Sequence, residues 1–203
     1  MKLTVIIPVF NEEKLLKRAL DSIPSAKDTE IIIIDDGSTD NSLSIADKWR
    51  SENKNHYVDI NLIHFDKNKG VAAAMNTGFD LARGEYIVSL SSDDYYVTDF
   101  EMFRPYLDGK NDLIYFDFEV NDGSVWHLDE ESKKEYVGAA KFIRREFLSN
   151  TRIPDMKWHE DYPFSHELYA KNPKEVFTGI VLKHYNFPHE GSLIWQAEHG
   201  GKK

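Results

Sequence analysis

The sequence predicts an α/β fold: a doubly wound, mostly parallel sheet flanked by helices, with a small antiparallel β element in the second half. Three observations predict it. Short apolar runs alternate with stretches in which apolar residues recur at helical spacing. Four isoleucines follow one another at 31–34, as in a strand that a parallel sheet buries on both faces. Two later apolar runs flank Asn121-Asp122-Gly123, which is a hairpin turn signal.

The first half of the chain, residues 1–95, predicts four strands that alternate with three helices. The strands are expected at 3–9, 31–34, 60–64 and 86–90, and the helices at 12–23, 42–49 and 70–81. Pro24 ends the first helix. Right-handed crossovers would place the carboxyl ends of these strands at one edge of the sheet, where ligands bind in such folds. We therefore expect this half to bind a nucleotide.

The second half, residues 96–203, has a looser pattern. Antiparallel strands are predicted at 113–120 and 124–128, helices at 138–148 and 164–170, and a late strand at 176–185. A length of 203 residues fits one domain over the whole chain, 1–203, with a core large enough to need no covalent support.

Composition narrows the function. The chain has 35 acidic and 25 basic residues and a formal charge of −10, which argues against nucleic acid as a partner. It has no cysteine, which excludes disulfides and thiolate metal sites and fits a cytoplasmic location. No apolar run approaches the roughly 20 residues of a membrane span, so no transmembrane segment is expected, and peripheral contact with a membrane stays open. Nothing in the sequence selects an oligomeric state.

Acidic residues stand in pairs at three places where predicted elements begin or end. The pairs are Asp35/Asp36, Asp93/Asp94 and Glu160/Asp161. The first two follow strands of the same parallel sheet and should point into one crevice. Gathered carboxylates repel one another unless a cation lies among them, and their hard oxygen ligands suit Mg²⁺ or Mn²⁺.

Six segments, in order along the chain, carry a resemblance to a known family. They are VIIPVFNE at 5–12, IDDGSTD at 34–40, NKGVAAAMNTG at 68–78, ARGEYI at 82–87, FIRREFL at 142–148 and HEDY at 159–162. Together they resemble the family 2 glycosyltransferases, which have the GT-A fold. The resemblance implies an inverting, metal-dependent transfer of a sugar from a nucleotide-diphosphate sugar, usually a UDP-sugar, to an acceptor hydroxyl, as in polysaccharide or glycoconjugate synthesis. Residues 1–95 would bind the donor and 96–203 the acceptor.

The resemblance also implies roles for individual residues. Asp36 would hydrogen-bond the base, Asp93 would hold Mn²⁺ or Mg²⁺ on the diphosphate, and Asp161 would be the general base. The remaining donor-binding positions that the resemblance implies are Pro8, Val9, Phe10, Glu12, Gly70 and Asn76 in the matching segments, and Ser92 and Asp94 on either side of Asp93.

Two positions depart from the family pattern, and two other functions stay open. Ser91 replaces the first Asp of the metal motif, and Met75 replaces an Arg in the third segment. These changes keep open a relative that binds a nucleotide or a protein partner without turnover. A sugar nucleotidyltransferase is the second alternative, although residues 8–11 lack the glycine and lysine of its phosphate loop.

Overall fold

In the described part of the chain, nine strands form one sheet at the centre of the molecule. The computed structural model describes residues 1–134, 140–156 and 161–187. Four parallel strands and three helices alternate in the first half: β1 Leu3–Val9, α1 Leu16–Asp21, β2 Thr29–Asp35, α2 Ser42–Asn53, β3 Asp59–His64, α3 Val71–Leu81 and β4 Tyr86–Ser89. Their order in the sheet is β3-β2-β1-β4. The predicted doubly wound first half is therefore confirmed.

Strand β2 is buried inside this sheet, as the run of four isoleucines predicts. All seven residues of β2 are buried, because β1 and β3 flank the strand and helices cover the sheet. Helix α1, Leu16–Asp21, is shorter than the predicted 12–23. The N–H groups of Glu12 and Glu13 donate to Ser42 Oγ and Asp40 Oδ2, which joins the segment before α1 to the start of α2.

The second half extends the same sheet with mixed strand directions. Its elements are β5 Tyr95–Tyr96, β6 Leu113–Val120, β7 Val125–Trp126, β8 Lys141–Arg144, α4 Arg145–Leu148, α5 Asp161–Ala170 and β9 Glu175–Tyr185. The full strand order is β3-β2-β1-β4-β8-β6-β9-β5, with β7 paired to β6. Strand β8 is antiparallel to both β4 and β6, whereas β9 is parallel to β6.

The predicted hairpin is confirmed, and one predicted helix is wrong. Strands β6 and β7 pair antiparallel across a turn in which Gly123 has a φ of 82°. The predicted helix 138–148 is instead strand β8 followed by the single turn α4 within the described residues 140–148. Lys141 on β8 is buried, and β8 pairs with both β4 and β6, so sheet pairing overrides the local preference for a helix.

Aromatic side chains fill the core of the second half. Phe142 on β8 lies at ring-centroid distances of 5.1 Å from Phe103 and 5.6 Å from Phe116. All three rings are fully buried, which explains much of the high aromatic content as core packing.

Across the described ranges, no helix is long and apolar enough to cross a bilayer.

Candidate functional site

Asp36 lies at the carboxyl end of β2, next to the end of β1. Its own N–H donates to the carbonyl of Val9 at 2.8 Å. Its carboxylate accepts two backbone N–H bonds, from Lys69 at 2.7 Å and from Gly70 at 2.8 Å. Burial raises the pKa of Asp36, and these two hydrogen bonds oppose the rise. The structure thus brings together three of the predicted donor-binding positions, Val9, Asp36 and Gly70.

The loop at 65–70 is held close to the end of β2. Gly37 has a φ of 73°, and a Cβ built there would lie 2.5 Å from the backbone carbon of Lys67. The positive φ and the short distance to Lys67 therefore both require glycine at position 37. Asp35, at the end of β2, is fully buried, and its Oδ2 lies 2.7 Å from Nδ1 of His64.

The loop after β1 forms the opposite side of this crevice. Pro8 is half-buried, and Phe10 is 44% exposed at the rim. Asn11 holds the loop in place: its N–H donates to Ser38 Oγ at 3.0 Å, and its Oδ1 accepts the N–H of Thr39 at 2.8 Å. Glu12 follows, and its carbonyl accepts the N–H of Leu16. An exposed aromatic ring beside a buried carboxylate can bind a planar base between apolar and polar contacts.

The acidic turn after β4 contains Ser91, Ser92, Asp93 and Asp94. Asp93 is half-buried, and its carbonyl accepts a hydrogen bond from the Arg18 guanidinium at 2.7 Å. Asp94 is fully buried, and its Oδ2 lies 2.9 Å from the ammonium of Lys183 on β9. Ser92 is also buried, at 8% exposure. The carboxylate of Asp94 is therefore directed into the protein, whereas Asp93 is partly exposed.

A divalent cation could be held here by Asp93. A cation bound to a diphosphate typically takes one or two protein carboxylates and completes its coordination with phosphate oxygens and water, so a single half-buried carboxylate fits such a role. Within residues 1–134, 140–156 and 161–187, no group of three or more His, Asp or Glu side chains could hold a metal ion by itself. A cation at Asp93 would therefore need the phosphate oxygens of a bound nucleotide to complete its coordination.

Asp161 is the first residue of α5 and is half-exposed. Helix α5 packs on α3 through stacked rings of Phe164 and Phe79, whose centroids are 5.6 Å apart. Beneath its first turns, the ammonium of Lys141 lies 3.2 Å from Ser165 Oγ. Glu160, the predicted neighbour of Asp161, lies outside the described residues.

Tyr185, at the end of β9, connects the acidic positions electrostatically. Burial raises the pKa of the Tyr185 hydroxyl, and the charges of Asp94, Asp93 and Asp161 raise it further. Sequence reasoning missed Tyr185, and likewise Arg18 and Lys183, because only the fold brings them to the acidic turn.

The predicted donor residue Asn76 has a different environment. It lies on α3, half-buried, and its amide makes two hydrogen bonds to the backbone of Ile153 in the second half of the chain. The side chains of two predicted positions, Asn76 and Asp94, thus contact residues of the second half of the chain.

Comparison with known proteins identifies the family. The model of glycosyl transferase family 2 matches residues 4–173. The chain belongs to this family. An uncharacterized glycosyltransferase of Haemophilus influenzae is 31% identical over 198 residues, which are 90% of this chain and 76% of that protein. A PGL/p-HBAD biosynthesis glycosyltransferase of Mycobacterium bovis is 38% identical over 199 residues, again 90% of this chain and 76% of the relative.

Solved structures share the fold of this glycosyltransferase family member. A 1–349 fragment of S. aureus TarS in complex with UDP-GlcNAc superposes with a TM-score of 0.79 at 21% identity, covering 96% of this chain and 61% of that one. A mannosyltransferase of Pyrobaculum calidifontis in complex with GDP-Man and Mn²⁺ gives a TM-score of 0.74 at 18% identity, covering 96% and 59%. The predicted GT-A architecture is confirmed, and this chain spans about 60% of the length of those solved chains.

The structure describes both positions at which this family member departs from the family pattern. The carbonyl of Ser91 accepts the N–H of Asp94 at 3.1 Å and closes the acidic turn. Met75 is buried in the core at 8% exposure. Family membership does not support the sugar nucleotidyltransferase alternative.

Proposed function

We propose that this chain transfers a sugar, with inversion, from a nucleotide-diphosphate sugar to an acceptor hydroxyl, in polysaccharide or glycoconjugate synthesis in the cytoplasm. Residues 1–95 bind the donor and 96–203 the acceptor. One observation carries the proposal beyond family membership: Asp36 and Asp93 follow β2 and β4, the two strands that lie parallel to β1 on either side of it. The two residues therefore stand at the same edge of the sheet, which fits a crevice that binds the base and the diphosphate of one nucleotide.

The donor is proposed to be a UDP-sugar. Its uracil would lie between Pro8 and Phe10 on one side and Asp36 on the other. Each carboxylate oxygen of Asp36 accepts one backbone N–H and has a second lone pair for a base N–H. The TarS complexes with UDP and UDP-GlcNAc support this choice, whereas the mannosyltransferase bound to GDP-Man shows that the fold also accepts another base.

Asp161 is proposed as the general base. A sugar hydroxyl is a weak nucleophile, so a carboxylate within hydrogen-bond reach takes its proton as the oxygen forms a bond to the anomeric carbon. The bond from that carbon to the diphosphate oxygen breaks, and the diphosphate leaves with the electron pair. The half-exposed position of Asp161 at the start of α5 leaves its carboxylate open to an acceptor.

Asp93 is proposed to hold Mn²⁺ or Mg²⁺ on the diphosphate. When bound, such a cation stabilises the charge that develops on the leaving group. Arg18 would keep the carboxylate in place, because it bonds the carbonyl of the same residue.

The experiment begins with calorimetry of UDP, GDP, dTDP and CDP, each with Mn²⁺ and with a chelator. We expect metal-dependent binding of UDP. Asp93→Asn should remove the metal dependence, and Asp161→Asn should keep UDP binding and lower nucleotide release from UDP-sugars by about 10²-fold or more. Asp47→Asn, on the exposed face of α2, is the control and should change neither quantity.

The outcomes separate the enzyme from its alternative. A relative that only binds nucleotides would show affinity for UDP and release no nucleotide from any UDP-sugar. Absence of binding to all four diphosphates would overturn the proposed donor site itself.

A further inference from the structure

Helix α3 contacts both halves of the crevice. The residue just before it, Gly70, donates its N–H to the Asp36 carboxylate at 2.8 Å. Six residues later, roughly 9 Å along the helix axis, Asn76 contacts the second half of the chain. A single rigid helix thus joins the proposed base pocket to the segment that leads toward Asp161.

The contact at Asn76 is a pair of hydrogen bonds to one residue. Its Nδ2 donates to the carbonyl of Ile153 at 2.8 Å, and its Oδ1 accepts the N–H of Ile153 at 2.9 Å. Only a side-chain amide of this length offers a donor and an acceptor side by side, so aspartate or leucine could not replace it. Two bonds to the backbone of the same residue fix the position and the orientation of Ile153.

Neighbouring contacts join the same segment to α5. Arg152 pairs with Asp80 of α3 at 2.6 Å, and Thr151 Oγ1 donates to Glu167 of α5 at 2.8 Å. Helix α5 also packs directly on α3 through Phe164 and Phe79. Residues 149–153, α3 and α5 therefore form one packed unit, and α5 begins with Asp161.

We propose that Asn76 is a positioning residue, which sets the place of Asp161 relative to the donor by holding the backbone of Ile153 against α3. The inference rests on the proposed function, since it takes Asp161 as the general base. It differs from the role that the family resemblance implies, in which Asn76 contacts the donor. An error of about 1 Å in the placement of a catalytic group can cost about 10²-fold in rate.

The test uses two variants of Asn76 and a matched control. Asn76→Ala removes both bonds to Ile153. Asn76→Asp keeps an acceptor for the Ile153 N–H and loses the donor, so its effect should be intermediate, and it serves if the alanine variant fails to fold. Thr77→Val is the control, because the Thr77 hydroxyl bonds only to Ala73 of its own helix among the described residues.

The kinetic arm measures UDP release from UDP-GlcNAc, UDP-glucose and UDP-galactose, together with UDP affinity by calorimetry. Asn76→Ala should lower kcat by about 10- to 100-fold while the Kd of UDP stays within about twofold. In the Asp161→Asn background, the same change should lower kcat by less than about twofold, because Asn76 acts through Asp161. Thr77→Val should leave both quantities unchanged.

The second arm is independent of activity. Amide hydrogen exchange should increase in residues 149–156 and 161–170 of Asn76→Ala, and it should stay at the wild-type rate in β1 and β2. If the wild-type protein binds UDP but releases no UDP from any of the three UDP-sugars, the proposed function fails. The hydrogen-exchange result then decides by itself whether Asn76 holds α5 in place.

Three results would overturn the inference. A loss of UDP affinity that accounts for the loss of activity would make Asn76 a donor ligand. Unchanged kcat, or losses that multiply with those of Asp161→Asn, would show that Asn76 does not act through Asp161. Unchanged exchange in 161–170 would show that α5 does not depend on the contact with Ile153.

Discussion

Lys183 and Asp94 form a buried ion pair, with Nζ and Oδ2 2.9 Å apart and both side chains at most 5% exposed. The second carboxylate oxygen, Oδ1, accepts the N–H of Asn186 at 2.9 Å. Lys183 belongs to β9 and Asp94 to the acidic turn after β4, so the pair connects the end of the described chain to the turn that carries Asp93.

We predict that Lys183→Met is strongly destabilising. The variant leaves the charge of Asp94 buried without its cation, which should lower the free energy of unfolding by about 3–5 kcal/mol in urea denaturation. Adding Asp94→Asn should recover much of the loss, since the buried charge is then gone. Lys48→Met breaks an exposed pair with Glu52 and should leave stability unchanged. Equal stability of Lys183→Met and wild type would contradict the prediction.

The buried Lys141 predicts a stability change with pH. Burial lowers the pKa of Lys141 from 10.5 to about 8, against the opposing charges of Asp161 and Glu175. Between those pH values the unfolded chain binds a proton that the folded chain does not, so stability should rise with pH across this window. Below pH 8 the buried ammonium should lower stability by roughly 3 kcal/mol.

Lys141→Met tests this cost directly. The variant should be more stable than wild type at pH 7, and the difference should shrink as the pH rises toward 10.5. Chemical denaturation at several pH values measures it, with Lys174→Met, at an exposed position, as the control. If the free energies of unfolding of wild type and Lys141→Met change with pH in parallel, burial does not lower the pKa of this lysine.

A comparison of alanine variants at Gly37 and Gly123 distinguishes the effect of backbone strain from that of steric contact. Both have positive φ, 73° and 82°, but a Cβ at Gly37 would meet the backbone at 67–68, whereas one at Gly123 would meet open space. Each alanine variant should lose roughly 1–2 kcal/mol of stability from the left-handed conformation. Gly37→Ala alone should also displace the loop at 65–70 and weaken UDP binding by at least about tenfold. Equal UDP affinity in the two variants would contradict this.

The raised pKa of Asp36 predicts how nucleotide affinity depends on pH. The carboxylate form accepts the base N–H, so UDP affinity should fall as the pH drops, and burial should place this fall at a higher pH than for an exposed aspartate. The ratio of wild-type to Asp36→Asn affinity removes the titration of the UDP phosphate itself. Calorimetry from pH 4 to 8 gives this ratio, and a ratio independent of pH would exclude titration of Asp36 in binding.

The first half of the fold could be predicted from local pattern. Buried parallel strands contain uninterrupted apolar residues, and β1 has the predicted limits while β2 extends only slightly beyond 31–34. The second half was harder because its strands are short or contain charges. Strand β5 has two residues, and β8 has four, one of which is the buried Lys141, so neither forms a long apolar run.

The site was predictable only in part, for a related reason. The turns that follow β2 and β4 mark Asp36 and Asp93, since strand ends are visible in the sequence. The partners of these residues are not visible: Gly70 lies 34 residues from Asp36, and Asn186 lies 92 residues from Asp94. Such contacts depend on strand order, which local periodicity does not determine.

The strand order has a consequence for how this protein is made. Strand β5 follows β4 closely in the chain, yet in the sheet it pairs with β9. Strands β8, β6 and β9 lie between β4 and β5. A nascent chain that has emerged as far as α3 already contains β1, β2 and Gly70, the parts of the base pocket. The turn at 91–94 must wait for β9, so we expect the ability to bind a base to appear during synthesis well before the acidic turn is complete.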